Sequence, residues 1–338
     1  MCRYGAGDSG TGRTAPGQFA GPGIAGIYST TDYVFRGRDE VKEDTASSTA
    51  YTVLQGLVYV ARRTQHSYLV PENVKRLGEC VLSASEEGRA RLAELDKPFV
   101  ELKASIREFI FLPGITLHYI LRKRCIEDKA RAAIAGGVTQ VISLGAGYDS
   151  LVFRLSCEFP DVNFIEIDHP ATQKFKADAF DKTPESQAGL ARVNYLSVDF
   201  THQNIEDRLR GFDHFDPSRP TLFISEGVTV YLTEEEVTHM FTSIRNLSGV
   251  GTQFLFTVVE PHGSPRSNTR KALAWYLKFI GEPLKWTMEA PHMEAFLKKQ
   301  GCKLHSIDAT EQFREKYMSP ERRARLHHGE YVVLAEFA

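Results

Sequence analysis

The chain has 338 residues, with 41 basic and 43 acidic side chains and a formal net charge of −2 at pH 7. This length suits one large α/β domain with additions or two small domains, and the balanced charge gives no electrostatic reason to expect nucleic acid or an anionic membrane as a partner. No apolar run approaches the ~20 residues of a membrane span, and the first residues lack the apolar region of a secretory signal, so we expect a cytoplasmic protein.

The cysteines and histidines give no sign of a metal site or a disulfide framework. The five cysteines are scattered without a C-x-x-C pair, and the eleven histidines show no H-E-x-x-H spacing. We therefore expect reduced thiols and no bound metal.

The first third of the chain is predicted to be a mobile tail followed by helices. Residues 1–30 are rich in glycine and poor in apolar side chains, so burial cannot offset the entropy of ordering them. The alternative is a flexible segment that folds over a ligand, with Tyr28 and Tyr33 as contacts. Apolar side chains recur at helical spacing between Thr45 and Arg63, and we expect residues 31–115 to form a helical N-terminal lid.

Residues 116–338 alternate between helical and strand patterns and are predicted to form one α/β domain with a seven-stranded sheet. A helix is predicted over 116–135, and Thr233 and Glu236 are predicted to form the capping box of a later helix. Strands are predicted near 140–145, 163–168, 194–199, 220–226, 253–260, 303–308 and 330–337, and further helices near 149–158, 170–180, 203–210, 233–247 and 291–300. We expect the last two strands to be an antiparallel pair at the sheet edge.

Residues 261–290 are a stretch that an α/β core does not need. They contain Trp275 and Tyr276 within an apolar run. We expect this cap insertion to form a wall of the substrate pocket.

A glycine-rich turn follows the first predicted strand and carries Gly145, Ala146 and Gly147. A β-branched strand that breaks into such a turn and then opens a helix is typical of a nucleotide-cofactor site, because the glycines allow positive φ and a close approach of the ligand. A nicotinamide dinucleotide site needs a third glycine where Ser150 stands. A cofactor with adenosine but no phosphate fits better, and S-adenosylmethionine is the common one.

Polar residues follow the predicted strands directly, where open α/β sheets bind ligands. Asp168 lies 21 residues after Gly147, at the distance expected of a carboxylate that binds both ribose hydroxyls; a helix-capping acid is the alternative. Asp199 could accept the exocyclic amine of adenine with Phe200 beside the ring, or Asp199 is a simple turn residue. Glu226 follows the fourth strand.

In this order, the motifs of the chain resemble those of the leucine carboxyl methyltransferase superfamily, and within it the bacterial and fungal branch that includes polyketide O-methyltransferases. The motifs are LGAGYDS at 144–150 with RL at 154–155, FIEIDHP at 164–170, VDF at 198–200, and SEG at 225–227 with VYL at 230–232. The resemblance spans roughly residues 45–337. It implies a class I methyltransferase fold, which is Rossmann-like, and S-adenosylmethionine as the cofactor.

The resemblance also implies a role for individual residues. Arg124 matches the arginine that pairs with the methionine carboxylate of the cofactor, and Arg122 is the near alternative. The other implied contacts are Gly145 along the methionyl part, Asp168 on the ribose, Asp199 and Phe200 on adenine, and Glu226 beside the methionyl amine. Ala146 and Gly147 of the glycine turn are also expected to bind the cofactor. One departure concerns the substrate: the protein-methylating branch has a cofactor-contacting lysine early in its first helix, whereas this chain has Ser47-Ser48-Thr49-Ala50.

The leading hypothesis is therefore an S-adenosylmethionine-dependent O-methyltransferase whose acceptor is a carboxylate or hydroxyl of a small molecule from secondary metabolism. A protein C-terminal carboxyl methyltransferase and a non-methylating member that only binds the cofactor are the alternatives. A carboxylate acceptor needs no general base, whereas a hydroxyl does, and the catalytic candidates are His118, His262 and Tyr231, with Glu260 as a further one. The oligomeric state is not predicted by these patterns.

Overall fold

A seven-stranded sheet forms the centre of the computed structural model, which describes residues 48–198, 203–247, 249, 251–273, 284–322 and 324–338. The strands are Gln140–Leu144 (β1), Asn163–Asp168 (β2), Val193–Ser197 (β3), Thr221–Ser225 (β4), Gln253–Val259 (β5), Cys302–Asp308 (β6) and Glu330–Phe337 (β7). Their order across the sheet is β3-β2-β1-β4-β5-β7-β6. Strands β1 to β5 pair with one another in parallel, and β7 runs antiparallel to both β5 and β6.

The central strands are buried on both faces. Along β1, Val141 belongs to one hydrophobic cluster and the next residue, Ile142, to the other; Leu222 and Phe223 of β4 divide in the same way. This alternation follows from the two-residue period of a strand, because successive side chains point to opposite faces. Helices must therefore cover both faces of the sheet, as is usual for parallel strands.

Helices cover the sheet on both sides. They are Ser48–Arg63 (α1), Glu72–Ser83 (α2), Glu86–Leu95 (α3), Val100–Ile110 (α4), Ile115–Ala135 (α5), Leu151–Glu158 (α6), Pro170–Phe180 (α7), Pro184–Gln187 (α8), Ile205–Arg210 (α9), Glu234–Leu247 (α10), Met293–Lys299 (α11) and Thr310–Tyr317 (α12). Side chains of α1, α2, α5, α6 and α7 belong to the first cluster, and side chains of α9, α10 and α11 belong to the second.

The predicted α/β architecture with seven strands is confirmed, and the strand positions agree within a few residues. The capping box before α10 is present, since Thr233 N–H donates to Glu236 Oε2 at 2.7 Å and Glu236 N–H donates to Thr233 Oγ1 at 3.2 Å. The last two strands are antiparallel as expected, but β7 lies inside the sheet and β6 alone forms that edge. The helix expected from residue 149 begins at Leu151, and the Asp149 side chain lies just before it, where its Oδ1 accepts the Leu151 N–H at 2.9 Å.

The start of α1 lies over the glycine turn. A Cβ built on Gly147 would sit 3.5 Å from the Cβ of Ala50, and the Tyr51 and Tyr148 rings meet edge to face at 4.8 Å. The predicted lid over residues 31–115 therefore has helices in its described part, and the predicted tail over residues 1–30 lies outside the described residues. None of the helices that the structure describes is long and apolar enough to span a bilayer.

Candidate functional site

The glycine turn and the second strand meet at Asp168. Strands β1 and β2 pair in parallel with Leu144 beside Ile167, so the turn after β1 lies next to the end of β2. Gly147, at φ 52°, donates its N–H to Asp168 Oδ2 at 2.6 Å, and His169 N–H donates to Asp168 Oδ1 at 2.7 Å. The buried carboxylate is thus fixed by two backbone donors, one on each oxygen.

Gly145 is required by both backbone conformation and space. Its φ is 67°, which residues other than glycine rarely adopt, and a Cβ there would lie 2.6 Å from Val228 Cγ2. Val228 belongs to the turn after β4, so the absence of a side chain lets the turns after β1 and β4 pack closely. Ala146 lies between the two glycines, and its carbonyl accepts the Asp149 N–H at 3.0 Å.

A buried ion pair supports the turn from the α7 side. Lys176 is fully buried, donates to the Asp149 carbonyl at 2.9 Å and lies 2.6 Å from Glu166 Oε1. Burial raises the pKa of Glu166 to about 7, and the neighbouring lysine opposes this rise. The pair connects β2 to the start of α6 behind the glycine turn.

A cluster of opposite charges forms where α5 passes the end of β4. Arg122 contacts Glu226 Oε1 with Nη2 at 2.6 Å and with Nε at 3.1 Å, and Lys123 Nζ lies 3.0 Å from the same oxygen. Lys123 Nζ also donates to Asp149 Oδ2 at 2.5 Å. Burial alone would raise the pKa of Asp149, but the ammonium of Lys123 outweighs it and the pKa is lowered.

A second buried carboxylate, Glu330 at the start of β7, holds the other side of the guanidinium. Arg122 Nη1 contacts both of its oxygens, at 2.6 and 2.7 Å, and His118 Nε2 lies 3.2 Å from Oε2. Burial opposes ionisation of Glu330, yet Arg122 and His118 lower its pKa. The pKa of Arg122 is raised, since its two acids outweigh the effect of burial.

The structure does not bring Arg124 to this cluster. Its Nη1 lies 3.4 Å from the carbonyl of Leu69, and its guanidinium lies 5.4 Å from the centre of the Tyr317 ring. The basic side chains that reach Glu226 are Arg122, which the sequence offered as the alternative, and Lys123.

The candidate bases lie in different environments. His118 is fully buried, with an exposure of 0%, against Glu330 and the ring of His327. His262 is exposed beyond the end of β5. Tyr231 is 40% exposed and ends a short 3-10 turn that follows Glu226.

Glu260 forms hydrogen bonds to the loops around it. Its two oxygens accept from Ser264 Oγ at 3.0 Å and from Ala290 N–H at 3.2 Å, so it joins the two ends of the 261–290 insertion. Asp199, Phe200, Trp275 and Tyr276, the remaining predicted contacts, lie outside the described residues. Within the described ranges, no group of three or more His, Cys, Asp or Glu side chains is arranged to hold a metal ion.

Three residues of the cluster were not singled out from the sequence. Lys123 stood within the basic run of α5, next to Arg122. Tyr119 precedes Arg122 by three residues on the same helix face, its ring centre lies 4.8 Å from the guanidinium, and burial raises its pKa. For Glu330 there was no local signal, because it is 208 residues from Arg122 in the chain.

Comparison with known proteins shows what this chain is similar to. The sequence model of a family described as "Leucine carboxyl methyltransferase" matches residues 80–245. A relative from Streptomyces avermitilis, named "Putative S-adenosyl-L-methionine-dependent methyltransferase", is 29% identical over 178 residues, which is 51% of this chain and 61% of the relative. A Frankia alni protein of the same description is 27% identical over 179 residues, 51% of this chain and 60% of that protein. The match thus spans about three fifths of the length of these relatives.

A solved structure shows the same fold. The crystal structure of a DUF574 family protein from Streptomyces avermitilis superposes with a TM-score of 0.52 and 12% identity, covering 88% of this chain and all of that one. The architecture is the class I methyltransferase fold that the sequence predicted. The chain is thus similar to the leucine carboxyl methyltransferase family over residues 80–245 and to relatives named as putative S-adenosylmethionine-dependent methyltransferases over about half of its length.

Proposed function

We propose that this protein is an S-adenosylmethionine-dependent methyltransferase whose cofactor site lies at the carboxyl ends of β1, β2 and β4. The observation that carries the proposal is that two sets of polar side chains, each already held in place by the protein, lie beside the same glycine turn. One is the Asp168 carboxylate, held at 2.6 Å by Gly147 N–H, and the other is Glu226 with its two cations. The names of the relatives, given above, support the same function.

The Asp168 carboxylate suits a ribose. Each of its oxygens accepts one backbone N–H, from Gly147 or from His169, and a carboxylate oxygen can accept a further hydrogen bond. Two adjacent ribose hydroxyls are donors at the spacing of two such oxygens. The residues present therefore fit this part of the cofactor.

The charged cluster suits the amino-acid part of the cofactor, which has an ammonium and a carboxylate. Both cations contact Glu226 through Oε1, and Oε2 accepts no hydrogen bond from the described part of the chain. Glu226 Oε2 can therefore accept the ammonium. We assign Arg122, rather than Arg124, to the carboxylate, because only Arg122 reaches Glu226.

The bound cofactor supplies an electrophilic methyl group on a sulfonium, and the chain's residues have to hold it in line with the acceptor. We propose a small molecule as acceptor, methylated on a carboxylate or hydroxyl oxygen and produced in secondary metabolism. The burial of His118 against Glu330 favours a carboxylate, because that acceptor brings its own negative charge and needs no base. Tyr231, which is 40% exposed and follows Glu226 by five residues, is the side chain we place on the acceptor side.

Two measurements test the proposal. Calorimetry should show that the protein binds S-adenosylhomocysteine, and that Asp168→Asn loses this binding while Asp178→Asn, an exposed carboxylate on α7, does not. Incubation with methyl-labelled cofactor should then transfer label to small carboxylic acids or phenols. Transfer to a peptide C-terminus would replace the acceptor class, and binding without any transfer would indicate a non-methylating member. A protein that does not bind S-adenosylhomocysteine would refute the proposal.

A further inference from the structure

Lys123 is a half-buried cation beside the proposed cofactor site. It follows Arg122 on α5. Its ammonium bridges two acids that follow the carboxyl ends of β1 and β4: Asp149, with Oδ2 at 2.5 Å, and Glu226, with Oε1 at 3.0 Å. Asp149 stands two residues after Gly147, so the ammonium lies between the glycine turn and the acid at the end of β4. Burial opposes its charge, but Asp149 and Glu226 raise its pKa, so Lys123 is protonated at neutral pH.

The donors of the two cations are used differently. Arg122 directs Nη1 at both oxygens of Glu330 and directs Nε and Nη2 at Glu226. Most of its five N–H groups are therefore engaged. Lys123 has three N–H groups, and its contacts within the described residues are the two acids. Its side chain is also more exposed, at 17% against 6% for Arg122.

The charge of the cluster shows what Lys123 contributes. Two cations, Arg122 and Lys123, face three carboxylates, Asp149, Glu226 and Glu330, so the group has a net charge of −1. Without Lys123 the charge would be −2. A ligand carboxylate would then enter a strongly repulsive and largely buried site, where charges interact more strongly than in water.

We propose that Lys123 is a second cation for the carboxylate of the cofactor's amino-acid part, which it holds together with Arg122. This inference rests on the proposed function and adds a binding residue to it. The carboxylate takes the unused N–H of Lys123, while Glu226 Oε2 accepts the ammonium.

The test compares two ligands and two lysines of the same helix. S-adenosylhomocysteine has the amino-acid part, whereas 5′-methylthioadenosine has the adenosine and thioether without it. Lys123→Met removes the charge with little change in volume. Lys129→Met is the matched control, because Lys129 is also on α5, pairs with Asp308 Oδ2 at 2.6 Å and is 16% exposed.

We expect Lys123→Met to weaken S-adenosylhomocysteine binding at least tenfold while 5′-methylthioadenosine binding stays within twofold, and Lys129→Met to change neither by more than twofold. If Lys123→Met fails to fold, Lys123→Gln, which can still donate to Asp149, should show the same selective loss. Equal loss of both ligands would mean that Lys123 only supports the glycine turn, and unchanged binding of both would place it away from the ligand. Either result overturns the inference. A wild-type protein that binds neither ligand would refute the proposed function itself.

Discussion

Replacing Asp168 by asparagine should reduce both stability and cofactor binding, because both carboxylate oxygens accept backbone N–H groups. Gly147 and His169 donate to them at 2.6 and 2.7 Å. Asparagine has one acceptor oxygen, so its NH2 group would face one of these two donors. The side chain keeps its volume, and the change is therefore confined to hydrogen bonding and charge.

The expected magnitude follows from what is lost. A hydrogen bond to a charged group contributes about 1.5–3 kcal/mol, and a buried donor left without a partner costs about 1–3 kcal/mol. Both figures describe the loss of the same hydrogen bond and are not added, so we expect a loss of about 2–3 kcal/mol in the free energy of unfolding. The loss of ribose binding comes in addition and appears only with ligand present.

Urea unfolding with and without S-adenosylhomocysteine measures both effects. For the wild-type protein, ligand at 100 times its dissociation constant should add about 2.7 kcal/mol to the free energy of unfolding, and Asp168→Asn should show almost none of this increase. Asp178→Asn is the control: the Asp178 side chain is 58% exposed and its ion-pair partner among the described residues is Lys174, so a change below about 0.5 kcal/mol is expected. An Asp168→Asn protein with wild-type stability and a wild-type ligand effect would refute the reasoning.

Three further predictions concern single positions. Arg122→Lys should weaken S-adenosylhomocysteine binding at least tenfold by calorimetry because lysine lacks the guanidinium fork, whereas Arg124→Ala should change it less than twofold; the reverse result would restore Arg124 as the contact. Burial, with His118 nearby, lowers the pKa of His327 from 6.5 to about 3, so the unfolded chain takes up the proton first as the pH falls below about 6.5. Urea titrations should therefore show that the wild-type protein loses about 2 kcal/mol more stability between pH 7 and pH 5 than His327→Gln, a comparison in which other groups that titrate in this range, such as Glu166, cancel; equal pH dependence in both proteins would contradict the assignment. Gly145→Ala should lower the free energy of unfolding by about 2–4 kcal/mol through its positive φ and the contact with Val228, and Val228→Ala in the same chain should recover part of the loss; no recovery would show that the contact is not limiting.

The sequence by itself determined the features that depend on local periodicity. The strands from β1 to β7 follow from their apolar patterns and turn residues, and the capping box of Thr233 and Glu236 follows from a three-residue spacing. The contact between Gly147 and Asp168 could also be predicted from the sequence, because a parallel βαβ unit brings the end of one strand beside the end of the next.

The choice between Arg122 and Arg124 needed the tertiary structure. Two helical residues that are two positions apart point about 200° away from each other, since each residue turns the helix by about 100°. They therefore lie on opposite sides of α5, and only the packing of that helix decides which side faces Glu226. The sequence placed both arginines near the site but did not determine which face of α5 packs toward Glu226.

The partners of His118 were likewise decided by long-range packing. His118 precedes Arg122 by one helical turn, so the two share a face, but nothing near them in the chain indicates a carboxylate. Glu330 comes from β7, which inserts antiparallel between β5 and β6 and brings residues more than 200 positions apart into contact. Local patterns specify helices, strands and turns because these depend on neighbouring residues, whereas the charged cluster exists only once the sheet has assembled.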